Sequence, residues 1–386
     1  MLRRNIHISV ASIAARKFLP LLILLPAMLL ASQAAAQLPM PDVVCAGAVK
    51  HYWVDPNPGS AYTWKINGVV QPSTTNEIII TWDNTYPPSG SPYTLTVQEQ
   101  SAAGCYGPLR SGQIVVSGEP PGVSFTSCFD AITTVNAKPI RLKGGIPLGG
   151  TYSGPGVAGG LLDPGIAGAG THSITYAYTN SQGCTGTASS PIVILPAPAF
   201  TCGNSFTDVR DNSAYPTVAI GTQCWIASNL NYGLRITGSG AQTDNCVAEK
   251  YCYNDDPANC SSHGALYQWD ELMQYGNTPS AQGLCMPGWH VPTENDWTTL
   301  LNFYQGESLA GKSLQDPWPG GFGAWPGGVL YLNDNWQFKG FATLFWTSVP
   351  DGQYRAVSRG LNTIDFSVSF YPSLRANGFG VRCVRD

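Results

Sequence analysis

Eleven cysteines constrain the fold of this 386-residue chain more than any other feature of its sequence. All of them lie after residue 44, and residues 202–383 alone contain seven. Disulfides persist in oxidising compartments, so cysteine usage on this scale is typical of a protein outside the cytoplasm. Spacing alone does not fix which cysteines pair. No CxxC pair is present, which argues against a structural zinc site.

The first 36 residues have the pattern of a secretory signal peptide. Four basic residues lead into an apolar stretch at 18–31, and the alanines at 34–36 offer a cleavage site. Fourteen apolar residues are fewer than the roughly 20 that a membrane-spanning helix needs. We therefore expect an exported protein, extracellular or at the cell surface, with the periplasm as an alternative. No membrane span is expected after the signal is cleaved.

Composition favours a β-rich and loop-rich protein. The chain has 43 glycines and 30 prolines, and only 11% of its residues are charged. Its hydrophobic content of 43% and aromatic content of 11% argue against disorder. Without the signal, 16 basic and 24 acidic residues give a formal net charge of −8. Binding to nucleic acid is not expected, because it requires a basic surface.

Residues 38–117 alternate apolar and polar side chains as β-strands do, for example at Tyr62, Trp64 and Ile66. Asn67-Gly68 predicts a two-residue hairpin turn. The Cys45, Trp64, Cys105 order is similar to immunoglobulin-like sandwiches, in which a tryptophan packs near a disulfide. More specifically, the segments around Cys45 and Trp64 look like the PKD-like and Ig-like repeats of surface proteins from gliding Bacteroidetes.

Residues 123–195 resemble a second Ig-like repeat. Cys128 and Cys184 are 56 residues apart, close to the 60 residues between Cys45 and Cys105, and both second cysteines lie in a Gly-Cys-x-Gly pattern. We interpret this as an internal repeat of a one-disulfide unit, with Cys45–Cys105 and Cys128–Cys184 bonds. Proline-rich linkers at 117–122 and 196–198 are expected to hold the domains apart.

Residues 200–386 contain the helix signals. Thr293 and Asp296 have the spacing of a capping box, and apolar residues follow at Trp297, Leu300 and Leu301 on one helical face. A second helix is predicted over 265–275. Several further segments resemble one family, the Fibrobacter succinogenes major paralogous domain. They are Tyr215–Gly221 with Cys224 and Trp225, Lys250–Asp256, Gly264–Trp269, Cys285–Pro292, Ala324–Gly328, Phe345–Ser348 and Val381–Arg385.

The resemblance implies a C-type-lectin-like layout, whose molecular role is largely unassigned, and a disulfide between Cys285 and Cys383. We also pair Cys202 with Cys224 and Cys252 with Cys260, which leaves Cys246 unpaired. The predicted fold class is multidomain: two all-β immunoglobulin-like sandwiches followed by an α+β C-type-lectin-like domain at 200–386.

Two groups of residues are candidates for ligand binding. Asn254, Asp255, Asp256 and Asn259 offer oxygen ligands to calcium, although the same side chains suit a capped turn. Tryptophans in the glycine-rich stretch can stack on sugars or anchor a protein partner, or pack under loops. The candidates are Trp318, Trp325 and Trp336, whereas Trp346 is expected in the core.

No catalytic signature appears in the sequence, and the carboxylate pairs Asp270-Glu271 and Glu294/Asp296 are expected on helix surfaces or caps. We therefore expect a secreted or cell-surface binding or adhesion protein rather than an enzyme, with a glycan or protein ligand. The alternatives are an enzyme or accessory module acting on extracellular polysaccharide, and a structural envelope component without a ligand.

Overall fold

In this computed structural model the described residues are 35–37, 41–128, 131–315, 321–332 and 334–386. They form two compact units, one ending at Ser117 and one running from Gly118 to Asp386. Residues 1–34 of the predicted signal peptide lie outside the described residues. Within the described part, no helix is long and apolar enough to cross a membrane.

The first unit consists of β-strands in two sheets, with an apolar core that includes the fully buried Trp64 and Trp82. The predicted hairpin is confirmed: Asn67 and Gly68 both have positive φ, of 45° and 85°, and join two paired strands. In hydrogen-bonded order, one sheet contains Ala35–Gln37, Ala48–Trp53 and Glu77–Trp82, and the other contains Pro41–Val44, Arg110–Val116, Tyr93–Gln100, Ala61–Ile66 and Val69–Val70.

The second unit begins with a further β-rich region. Its largest sheet pairs the long strands Gly170–Thr179 and Thr185–Leu195 over ten residues. A short helix, α1 (Pro164–Ala167), is capped by Asp163. The remaining strands of this region are Ser124–Phe125, Ile132–Thr134, Ile140–Arg141, Gly145–Ile146, Thr151–Ser153, Val157–Ala158 and Leu161–Leu162.

Residues 200–386 mix helices with short sheets. The helices are α2 (Pro257–His263), α3 (Trp269–Leu272), α4 (Glu294–Phe303) and α5 (Glu307–Gln315). One sheet has the order Thr217–Ile220, Gln223–Ile226, Val384–Arg385, Trp289–His290, and another has Ala342–Asp351, Arg355–Asn362, Val368–Leu374. The shorter strands are Phe206–Thr207, Ala214–Tyr215, Leu234–Arg235, Glu249–Lys250, Val329–Tyr331 and Asn335–Gln337.

Helix α4 forms as its sequence predicts. The Thr293 side chain accepts from the Asp296 backbone and the Asp296 side chain accepts from the Thr293 backbone, which is a complete capping box. The helix predicted over 265–275 is wrong except for the four residues of α3. Leu266 and Tyr267 instead form β-bridges to Tyr251 and Phe379, because their backbone groups meet extended segments on either side.

The disulfides agree with the sequence interpretation only for the C-terminal region. The bonds Cys202–Cys224, Cys252–Cys260 and Cys285–Cys383 are present. The predicted Cys45–Cys105 bond is wrong, because Cys105 lies in an exposed turn as a free thiol. The Gly-Cys-x-Gly pattern that suggested it is the pattern of a tight turn, with Gly104 at φ 83°.

The predicted Cys128–Cys184 bond is also wrong, and Cys246 is not unpaired: Cys128 is bonded to Cys246, 118 residues away. Gly144 lies close to the Cys128 sulfur, and its neighbour Lys143 forms an ion pair of 2.8 Å with Asp244, two residues before Cys246. The two regions of the second unit are therefore not held apart by the 196–198 linker. They are covalently joined and packed together.

Candidate functional site

The candidate site is an open groove of about 340 Å³ in the C-terminal region, which we call the Trp325 groove. It lies at the C-terminal end of α2, where several loops meet. Serine, asparagine and backbone groups supply most of its lining, and none of the described lining residues is an aspartate or glutamate. The groove is lined by Ser213–Tyr215, Ala227–Asn229, Asn231, Cys260–Gly264, Gly323, Trp325 and Arg382.

Trp325 is the exposed aromatic side chain of this groove, with 53% of its surface accessible. Its ring is nearly parallel to the His263 imidazole, at an interplanar angle of 11° and a centroid distance of 6.5 Å. Burial lowers the pKa of His263, and the nearby Lys339 ammonium lowers it further. The imidazole is therefore neutral at neutral pH, and the two rings offer flat apolar faces at the edge of the groove.

Helix α2 fixes the position of His263. It begins after Asp256, whose carboxylate accepts from the Ala258 backbone, and the Cys252–Cys260 bond holds its middle. It ends at Gly264, which has φ 75° and lies so close to Asn229 that a Cβ there would be 2.4 Å from the Asn229 Cβ. A side chain at position 264 would push the helix end away from the groove.

The floor of the groove depends on Asn229 and Arg382. The Asn229 amide donates to the His263 carbonyl at 2.8 Å, and its Oδ1 accepts from Arg382 Nε at 2.7 Å. The Arg382 guanidinium also donates to the carbonyls of Phe322 and Gly323, both at 2.6 Å. These bonds tie the loop that carries Trp325 to the segment before the C-terminal strand, so the floor and the aromatic edge form one connected structure.

Hydroxyl and amide groups on the walls have hydrogen-bonding capacity to spare. Ser262 is exposed and donates to the carbonyl of Ala258 at 2.8 Å, which leaves its oxygen as an acceptor. Ser261 does the same with Pro257 at 3.3 Å. The Oδ1 atom of Asn231 is buried and accepts no hydrogen bond from the described residues. Such a lining suits a ligand with several hydroxyl groups.

The structure separates the three candidate tryptophans. Trp325 lies at the groove, and Trp318 lies outside the described residues. Trp336 is half-buried and packs against Tyr253 with a ring-centroid distance of 5.4 Å, in a small apolar cluster that also contains Leu330. Trp346 is fully buried, as expected for a core residue.

The four residues considered for calcium lie in one turn before and within α2. Asp255 accepts from the Gly238 backbone at 2.8 Å and Asp256 caps the helix, whereas Asn254 has φ 54°. The side-chain oxygen of Asn259 accepts from the Lys339 ammonium. A cation is thus already bonded to one of the proposed ligand oxygens. The geometry favours the capped turn over a calcium site.

The acidic residues near the helices have other roles. Glu294 forms an ion pair with Arg359, and Asp296 completes the α4 cap, as expected. Glu271, expected on a helix surface, is instead fully buried. Burial raises the pKa of Glu271 to about 7. Among the described residues, no group of three or more histidine, cysteine, aspartate or glutamate side chains is arranged to hold a metal ion.

Sequence reasoning selected Trp325 but missed His263, Asn229 and Arg382. The available signal for Arg382 was its place in an otherwise apolar run between Val381 and Cys383. A charged residue in such a run is expected to need buried partners. The partners themselves come from residues about 60 to 155 positions earlier in the chain, and no local pattern marks them.

A known family model matches most of the C-terminal region. Residues 218–385 match the model of the Fibrobacter succinogenes major domain. The resemblance predicted for residues 200–386 is therefore confirmed over this range. No curated protein sequence matches the chain.

Solved structures align with part of the chain at low similarity. A chimeric titin Z1Z2 has 16% identity over 42% of this chain and 95% of that chain, with a TM-score of 0.21. A Ca²⁺-stabilized adhesin of an Antarctic bacterium has 15% identity over 44% and 50%, with a TM-score of 0.20. The fibronectin(III)-like modules of Clostridium thermocellum CbhA have 12% identity over 41% and 91%, with a TM-score of 0.23. These TM-scores are too low to assign a function.

Proposed function

We propose that this protein is an exported binding protein whose C-terminal region is a lectin-like head that binds a glycan in the Trp325 groove. The observation that carries the proposal is the exposed Trp325 ring at the edge of a groove lined by hydroxyl and amide groups. In this proposal the protein acts at the cell surface or outside the cell.

The groove combines the two kinds of contact that a sugar needs. A pyranose ring has an apolar C–H face, which packs well on a flat aromatic ring, and a polar rim of hydroxyl groups. Trp325 and the neutral His263 supply the flat surfaces. The exposed Ser261 and Ser262 supply acceptors for sugar hydroxyls within the same groove.

The chemistry of the lining favours binding over hydrolysis. Glycoside hydrolysis typically requires two carboxyl groups on opposite sides of the scissile bond. None of the described lining residues carries a carboxylate, and the pKa of His263 is lowered by burial rather than raised by an acidic partner. The described lining thus offers contacts for binding a sugar but not the pair of carboxyl groups that usually hydrolyses a glycosidic bond.

The test compares Trp325→Ala with the wild-type protein in glycan binding, measured by calorimetry after a glycan-array screen. Loss of the stacking face is expected to weaken binding about tenfold, or about 1.4 kcal/mol. Tyr354→Ala is the matched control, since Tyr354 is 70% exposed in the same region but lies outside the groove. Equal binding by wild type and Trp325→Ala would contradict the proposal.

The same preparation separates the alternatives. Release of reducing sugar from a bound polysaccharide would indicate an enzyme or an accessory module. Absence of binding to every glycan on the array, together with incorporation of the protein into the cell envelope, would indicate a structural component.

A further inference from the structure

Among the described residues that line the Trp325 groove, Arg382 alone carries a charge at neutral pH, and no carboxylate compensates it. The residue is 2% exposed. Its guanidinium donates to four neutral oxygens: Asn229 Oδ1 and the carbonyls of Ile226, Phe322 and Gly323. It forms no ion pair with any carboxylate of the described residues.

Neutral acceptors satisfy the geometry of the guanidinium but not its charge. The rings of Phe322 and Phe345 lie 4.8 and 5.6 Å from its central carbon and contribute only part of the compensation. The cost of burial appears in the pKa of Arg382, which desolvation lowers to about 9. The side chain therefore remains protonated at neutral pH, without a counterion.

A second cation, Lys250, contacts a residue of the groove lining. Lys250 Nζ donates to the carbonyl of Asn231 at 2.7 Å, and Asn231 lines the groove. Burial lowers the pKa of Lys250, and the negative charge of Asp211 acts in the opposite direction. Asp211 is exposed and does not line the groove, and its carboxylate accepts a hydrogen bond from the Ser213 backbone.

Arg382 and Lys250 thus place two positive charges beside the groove, in a chain whose predicted mature form has a formal net charge of −8. The negative charges of Asp211 and Asp208 act on Tyr215 in the lining, but neither residue pairs with Arg382.

We infer that the Trp325 groove selects a carboxylated glycan, with the sugar ring against Trp325 and the carboxylate toward the Arg382 end of the floor. This inference rests on the proposed function, because it specifies the ligand of the same groove. A carboxylate supplies the counter-charge that the protein itself lacks, and charge-assisted hydrogen bonds are stronger than neutral ones. Uronic acids and sialic acids both carry this group.

The first experiment compares charged and neutral ligands on the wild-type protein. Calorimetry with the full mature chain compares oligogalacturonate with its methyl ester, which has the same ring and no charge. Sialyllactose and lactose form a second pair and distinguish the two sources of carboxylate. We expect the acid of at least one pair to bind at least tenfold more tightly than its neutral partner. We also expect that advantage to shrink as NaCl rises from 50 to 500 mM, because salt screens the attraction.

Variants at position 382 locate the effect. Arg382→Lys retains the charge and is expected to retain the preference for the acid, whereas Arg382→Gln is expected to abolish it. Circular dichroism checks that each variant is folded, and if Arg382→Gln does not fold, the ligand pairs alone decide. Equal affinity for acid and neutral forms would overturn this inference and leave the proposed function standing. Failure to bind any glycan, acidic or neutral, would overturn both.

Discussion

Burial of Glu271 gives the protein a defined pH dependence of stability. This side chain is fully buried in α3 and accepts hydrogen bonds from the Glu249 backbone and the Tyr275 hydroxyl, both at 2.8 Å. Desolvation raises its pKa from 4.5 to about 7, and the negative charges of Glu249 and Asp244 act in the same direction. The hydrogen bonds oppose the shift without cancelling it.

The sign follows from proton binding. Between pH 4.5 and 7 the folded state holds the proton on Glu271 while the unfolded state has released it, so the free energy of unfolding falls as pH rises. With a shift from 4.5 to about 7, the destabilisation is about 0.8 kcal/mol at pH 5 and about 3.3 kcal/mol at pH 8. Glu271→Gln removes this titration. Relative to wild type, the free energy of unfolding of the variant is expected to be about 2.5 kcal/mol higher at pH 8 than at pH 5.

Urea unfolding at pH 5 and pH 8, followed by tryptophan fluorescence, measures this difference. The amide also rearranges the two hydrogen bonds, which costs about 1 kcal/mol at both pH values and drops out of the comparison. Asp351→Asn is the matched control because it removes one carboxylate from an exposed position. If the free energies of Glu271→Gln and wild type change in parallel between pH 5 and 8, the reasoning is refuted.

Two further predictions concern the cysteines. Replacing Cys285 and Cys383 by alanine removes a disulfide that closes a loop of 98 residues. The loss of chain entropy in the unfolded state predicts that the free energy of unfolding falls by about 4.7 kcal/mol, which chemical denaturation measures. A fall below about 1 kcal/mol would contradict this entropic account. Native protein treated with a maleimide should take up one label per chain, on the peptide containing Cys105, because that thiol is exposed and free. A label on Cys246, or more than one label, would show that the bonding pattern is different.

Sequence patterns predicted correctly those elements whose conformation depends only on neighbouring residues. The α4 capping box and the Asn67-Gly68 turn depend on neighbouring residues, and both form. The predicted helix over 265–275 failed because apolar spacing at Leu266 and Trp269 also suits buried irregular segments. Whether such a segment becomes helical depends on partners such as Phe379, which is more than 100 residues away.

The same limit applies to the groove. Trp325 could be selected from its glycine-rich and proline-rich surroundings, because exposed aromatic residues in loops are recognisable as candidates. Asn229 and Arg382 could not, since their roles arise only when the C-terminal strand pairs beside the loop after Ile226. The Cys128–Cys246 bond likewise depends on contact between two regions that the sequence presents as separate.

The Cys285–Cys383 bond determines how the end of the second unit carries mechanical load. Tension that enters before residue 285 and leaves at the C-terminus passes from Cys285 directly to Cys383, so the intervening loop, about 330 Å when fully extended, stays slack. Trp325 and Arg382 both lie within that loop. A pull along the oxidised chain therefore does not run through the two residues proposed to hold the ligand.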